Sequence, residues 1–125
     1  MNAITGVLVS TVLIVTAGGA LAQSAESGER TFNQQCKSCH TVEKGGPSPI
    51  GPNLFGLIGR KAGSAPGFAS SEALKNSGIT WDEASVAEYL KDPKAKVPDT
   101  RMVFAGLKRP AQLADVIAYL KKATQ

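Results

Sequence analysis

Cys36-Lys37-Ser38-Cys39-His40 constrains this chain more than any other stretch of it. Residues three apart on a helical turn lie on the same side. Both sulfurs can therefore meet one edge of a flat partner, and the next residue can present an imidazole to its centre. This is the C-x-x-C-H arrangement of covalent haem attachment, with the cysteines bonding the ring and the histidine ligating the iron. Other chemistries fit less well. Zinc wants four ligands, yet these are the only two cysteines and His40 is the only histidine. A thioredoxin-like dithiol wants a βαβ context, and strand signals are absent. A plain disulfide, the usual fate of two cysteines in a secreted chain, leaves His40 unexplained.

The 125 residues suffice for one small domain and not for two. Met1 to Ala22 carries no charged side chain, and Val7 to Val15 is an apolar run that ends at Ala20-Leu21-Ala22. The run is shorter than the roughly 20 apolar residues of a bilayer crossing, and its small-x-small end suits a signal peptidase. Residues 1–22 therefore read as a cleaved secretory signal peptide and 23–125 as the functional domain. The alternative is an uncleaved anchor tethering the domain through Gln23 to Ser27. With the leader removed, no stable membrane insertion is expected.

The domain reads as all-α. Ser24 to Ser38 is rich in helix formers, with Gly28, Phe32 and Cys36 recurring every fourth residue. From Gly45 to Gly67, closely spaced prolines and glycines break both helical and strand periodicity, which predicts an ordered loop. Ser70 or Ser71 can cap a short helix ending near Asn76. Thr80-Trp81-Asp82-Glu83 reads as a capping box with Thr80 at the N-cap. The helix that follows should end near Lys91, because Pro93 drives Asp92 out of helical geometry. Pro110 opens a last helix, with Leu113, Val116, Ile117 and Leu120 on one face. So much loop leaves a thin core, which a bound haem would fill.

Counting then selects the second axial ligand. Met102 is the only methionine outside the leader. It sits in a proline-led, polar-flanked loop, Val97-Pro98-Asp99-Thr100-Arg101-Met102, not on an apolar helix stripe. A thioether opposite an imidazole favours reduced iron and closes the sixth position. Those properties suit an electron carrier better than an enzyme.

From Gly28 onward the chain resembles class I cytochromes c, in particular bacterial cytochromes c2 and their mitochondrial relatives. The likeness rests on CKSCHTVEKGG, GPNLFGLIGRKAGSAPGF, GITW, YLKDP, PDTRMVFAGL and ADVIAYLKKAT, in order and with family spacing. It implies a small fold in which the N- and C-terminal helices cross at Gly28, Phe32 and Tyr119, while short helices and loops wrap one covalently bound haem c. It implies that the Pro52 carbonyl accepts from the His40 imidazole. Arg60, Trp81 and Thr100 match positions at or near the propionates, Tyr89 a donor near the methionine sulfur, and Phe104 an aromatic beside the exposed haem edge. As ordinary core aromatics, Trp81, Tyr89 and Phe104 need no such role. Ser70 and Leu74 depart from the family, standing where relatives often carry a tyrosine and an asparagine. Ser48 likewise replaces a histidine, and Gln35 a lysine at the docking edge.

The resemblance implies a soluble, monomeric one-electron carrier, not an enzyme. Its partners would be redox proteins: a quinol–cytochrome c oxidoreductase, reaction centre, oxidase or dehydrogenase. The leader points to the periplasm. Fourteen basic against ten acidic side chains give a net charge of +4. The lysines are scattered without interleaved aromatics, which argues against nucleic acid. Lys37, Lys44, Lys94, Lys96, Arg101 and Lys108 are candidates for a positive docking rim.

Overall fold

In a computed structural model of the chain, residues 24–125 are described; the proposed leader, 1–22, lies outside them. Five helices occur among the described residues: α1 (Ala25–Gln35), α2 (Glu72–Lys75), α3 (Glu83–Lys91), α4 (Pro93–Lys96) and α5 (Pro110–Ala123). The only strand-like pairing among those residues is one antiparallel bridge, Lys61 to Thr80. The fold is the small all-α one expected, and none of these helices is long and apolar enough to cross a membrane.

The frame is the crossing of α1 and α5. Ser24 caps α1 by accepting from the Ser27 amide, and its own N–H donates to the Asp115 carboxylate at 2.8 Å. Gly28 is what lets the helices touch: a β-carbon there would lie 1.9 Å from the Asp115 carbonyl oxygen. One turn on, Phe32 packs against Tyr119 with ring centroids 5.3 Å apart. Phe32, Val116 and Leu120 are buried there, so α1 ends rigidly just before the cysteines.

The capping box lies two residues later than the sequence suggested. Asp82, not Thr80, is the N-cap of α3; its carboxylate accepts from the Ser85 amide, and the Ser85 hydroxyl accepts from the Asp82 amide. Thr80 is instead held in the bridge to Lys61, while Trp81 exchanges backbone bonds with Arg60 and Gly59. The chain stays extended until the Trp81 ring is buried, and only then can the helix begin. Of the two candidate caps for α2, Ser71 is the one used. Helix α4 went unread in the sequence although Asp92-Pro93 carries its signal: Asp92 both ends α3 and caps α4, whose first residue is the proline.

Candidate functional site

Helix α1 stops at Gln35, and the motif follows as tight turns. The amides of Cys36 and Lys37 both donate to the Phe32 carbonyl, and those of Cys39 and His40 both donate to Cys36. Cys36 and Cys39 are free thiols, both half-buried. Burial, reinforced by the neighbouring Cys39, pushes the Cys36 thiol up to about 11. A nucleophilic redox cysteine is tuned the other way, which argues against Cys36 as the attacking thiol of a dithiol-exchange centre.

His40 is held from two sides by the loop that returns past it. Its Nδ1 lies 2.8 Å from the Pro52 carbonyl oxygen. A carbonyl can only accept, so Nδ1 carries the proton and Nε2 keeps its lone pair. Burial lowers the His40 pKa, opposed by the bond to Pro52. The ring is thus neutral at neutral pH, as a metal ligand must be. Gly51 lies flat against it: a β-carbon there would sit 2.4 Å from the imidazole Cε1. Sequence reading found Pro52 through a likeness and overlooked Gly51, although an adjacent Gly-Pro pair opposite the motif was the available signal.

A second group forms around Met102. Trp81 and Tyr89 are buried and packed together with ring centroids 5.2 Å apart. The Tyr89 hydroxyl pairs with the Thr100 hydroxyl at 2.6 Å, and the Met102 amide reaches that same Thr100 oxygen at 3.4 Å. Met102 and Phe104 are partly buried and pack against the core, whereas Val103 between them is fully exposed. Asp99 holds a left-handed backbone (φ 66°) behind Pro98, with Thr100 N–H donating to the Val97 carbonyl. That is a type II turn, and it sets where the methionine loop leaves the core.

Arg60 joins the two groups. Its guanidinium donates to the carbonyls of Phe55 and Asn53, both at 3.2 Å, and its own carbonyl accepts from Trp81 N–H at 2.9 Å. Ser70 is the one described residue with a buried side-chain polar atom lacking any partner. A ligand carrying acceptor oxygens would satisfy that hydroxyl. A neutral imidazole whose Nε2 keeps its lone pair, two cysteine thiols, one loop thioether and an orphaned hydroxyl are the kinds of group a covalently held haem would use.

Three of the six proposed rim cations have other contacts. Lys96 pairs with Glu88, Lys108 donates to the Lys91 carbonyl at 2.7 Å, and Arg101 donates to the Ala69 carbonyl at 2.6 Å. Lys37, Lys44 and Lys94 are exposed.

The chain is similar in sequence to cytochromes c. The cytochrome c family model matches residues 25–124. The chain is 50% identical over 111 residues to cytochrome c2 of Blastochloris viridis, covering 89% of this chain and 87% of that protein. It is 49% identical over 125 residues to cytochrome c2 of Rhodomicrobium vannielii, covering 100% and 98%. It is 54% identical over 97 residues to cytochrome c of Chlamydomonas reinhardtii, covering 78% and 87%.

Proposed function

The chain belongs to the cytochrome c family, whose members bind haem c covalently, and from that premise we propose that it is a periplasmic one-electron shuttle with His40 and Met102 as axial ligands. The observation that carries the reading is the His40 imidazole, neutral, fixed at Nδ1 by the Pro52 carbonyl and adjacent in sequence to the attachment cysteines. When bound, the haem supplies an iron that changes charge by one without making or breaking bonds to substrate. The residues do the rest. Cys36 and Cys39 anchor one edge on the end of α1. Pro52 and Gly51 hold the His40 ring still, and Tyr89 with Thr100 holds the loop that presents Met102. Ligands fixed in this way reorganise little when the charge changes.

The test is a spectroelectrochemical titration of the haem-loaded protein with carbon monoxide added to the reduced form. A single reversible one-electron wave, a sulfur-to-iron charge-transfer band in the oxidised state and resistance to carbon monoxide are expected. Ready carbon monoxide binding at neutral pH would point to a gas sensor or haem enzyme and overturn the carrier reading.

Exposed Lys37, Lys44 and Lys94 would orient an acidic redox partner, a reaction centre, oxidase, dehydrogenase or quinol-oxidising complex, at the haem edge near Phe104. Exposed charges act through encounter rate and are screened within a Debye length, about 10 Å at 0.1 M salt. Second-order transfer rates to an acidic partner are therefore expected to fall steeply as salt rises. Rates indifferent to ionic strength would remove the steering role. Periplasmic location rests on the leader and is checked by cell fractionation with N-terminal sequencing, which should begin at Gln23.

Leu74 supplies a further test. It lies on α2, partly buried and packed against the core, at a position where relatives often carry an asparagine near the haem. A polar side chain near the iron stabilises the more highly charged oxidised state, so Leu74→Asn is expected to lower the reduction potential. An unchanged titration curve would argue that this departure has no bearing on the haem.

A further inference from the structure

Two contacts fix the His40 ring, the Pro52 carbonyl and the Gly51 backbone, and both come from a loop that belongs to no helix. Something must hold that loop against the histidine. Backbone bonds do part of it. Gly51 N–H donates to the Cys39 carbonyl and Leu54 N–H to the Thr41 carbonyl, both at 2.8 Å, one on each side of His40.

The side chains complete it. Thr41, directly after His40, donates its hydroxyl proton to the Pro47 carbonyl at 2.5 Å and accepts from Asn53 Nδ2 at 2.7 Å. Asn53, directly after Pro52, uses its second amide proton on the Glu43 carbonyl at 2.9 Å, while its Oδ1 accepts from the Phe55 amide at 3.0 Å. The Asn53 backbone is held as well: its N–H donates to the Ser48 hydroxyl at 2.9 Å, and its carbonyl accepts from Arg60. Gly46 leaves room for the junction, since a β-carbon there would meet the Thr41 hydroxyl at 2.9 Å and Asn53 Nδ2 at 3.0 Å. The residues flanking the two ends of the His40–Pro52 bond are thus bonded to each other.

We infer that Thr41 and Asn53 are positioning residues for the axial histidine, a hydroxyl–amide bracket that holds the Pro52 carbonyl on His40 Nδ1 and so sets how strongly the imidazole donates to iron. The inference rests on the proposed ligation by His40. A carbonyl accepting from Nδ1–H raises the basicity of the ligand, which stabilises oxidised iron over reduced. Loosening the bracket lengthens that bond and shifts the balance towards the reduced form.

Thr41→Val keeps the shape of the side chain and removes the hydroxyl. Asn53→Leu is close in size, adds no charge, and loses both donations together with the acceptor for Phe55 N–H. In the haem-loaded protein each is expected to raise the reduction potential, changing the reduced-to-oxidised ratio at fixed potential by up to about tenfold, equivalent to ~59 mV for one electron. Each should also speed solvent exchange of the His40 Nδ1 proton, followed by NMR. Thr41→Ser, which restores the hydroxyl, should match the wild type in both. A general loss of stability would be shared by Thr41→Ser or would leave the potential in place. Wild-type values in both Thr41→Val and Asn53→Leu, or a Thr41→Ser variant that behaves like Thr41→Val, would overturn the bracket. Wild-type protein whose His40 resonances carry no iron-induced shift would overturn the ligation itself, a separate result from failure of the bracket.

Discussion

Replacing Gly28 with alanine is expected to destabilise the protein by about 3 kcal/mol or more, the upper end of what overpacking usually costs. The sign is the informative part. In an exposed helix interior the same change stabilises by roughly 0.5–1 kcal/mol, because alanine loses less backbone entropy. Here the added carbon would meet the Asp115 carbonyl oxygen at 1.9 Å and the Tyr119 β-carbon at 2.9 Å. The first of these is backbone, so no rotamer change relieves it, and α1 and α5 must move apart. That separation also opens the Phe32–Tyr119 contact and strains the bond from Ser24 N–H to Asp115. For a domain of this size the loss corresponds to a fall in Tm of roughly 12 °C or more. A useful contrast is Gly45→Ala, where nothing lies within 4 Å and only the positive φ of 74° is at stake. Its cost should stay near the roughly 1–2 kcal/mol of a left-handed alanine. Thermal melts of the two variants that ranked them in reverse would mean that the crossing is not the main constraint on the fold.

The second large effect is expected at the sixth position of the iron. Met102 supplies the one thioether among the described residues, and its loop is placed by the Pro98-Asp99 turn and by Thr100, itself tied to Tyr89. Met102→Ala removes the proposed ligand but leaves that turn, the cysteines and His40 in place. The haem should remain covalently attached, the sulfur-to-iron band of the oxidised form should vanish, and the reduction potential should fall. Reduced protein should also gain carbon monoxide affinity. If the wild-type position is open in about one molecule in a thousand, removing its ligand raises apparent affinity by that factor, about 10³. Met102→Ala protein that keeps the band and still resists carbon monoxide would assign the sixth ligand elsewhere.

Both effects trace back to features legible in the sequence to different degrees. The haem pattern was readable because five consecutive residues carry it, and α5 because its apolar face repeats over about two turns. Met102 is proposed by elimination, an argument available only because the chain is so poor in other ligands. The start of α3 was misread for a physical reason. Thr80 and Asp82 are both good N-caps, and only the tertiary demand that Trp81 be buried in extended chain chooses between them. The roles of Gly51, Thr41 and Asn53 had no local signature. Each acts across a loop on a residue about ten positions away, and nothing in the composition of a Pro- and Gly-rich segment says which of its carbonyls will face an imidazole. Arg60 shows a related limit. Likeness gave it a place near the propionates but gave no hint of its further contacts, the carbonyls of Phe55 and Asn53, which brace the loop that holds His40.

The most direct measurement is the intact mass of the native protein under denaturing conditions, followed by mapping of the peptide that contains Cys36 and Cys39. The expected mass is that of a chain beginning at Gln23 plus one haem, with both cysteines on the haem-bearing peptide and resistant to alkylation. A chain of apoprotein mass whose two thiols alkylate freely would contradict covalent attachment, and with it the reading of this protein as an electron carrier.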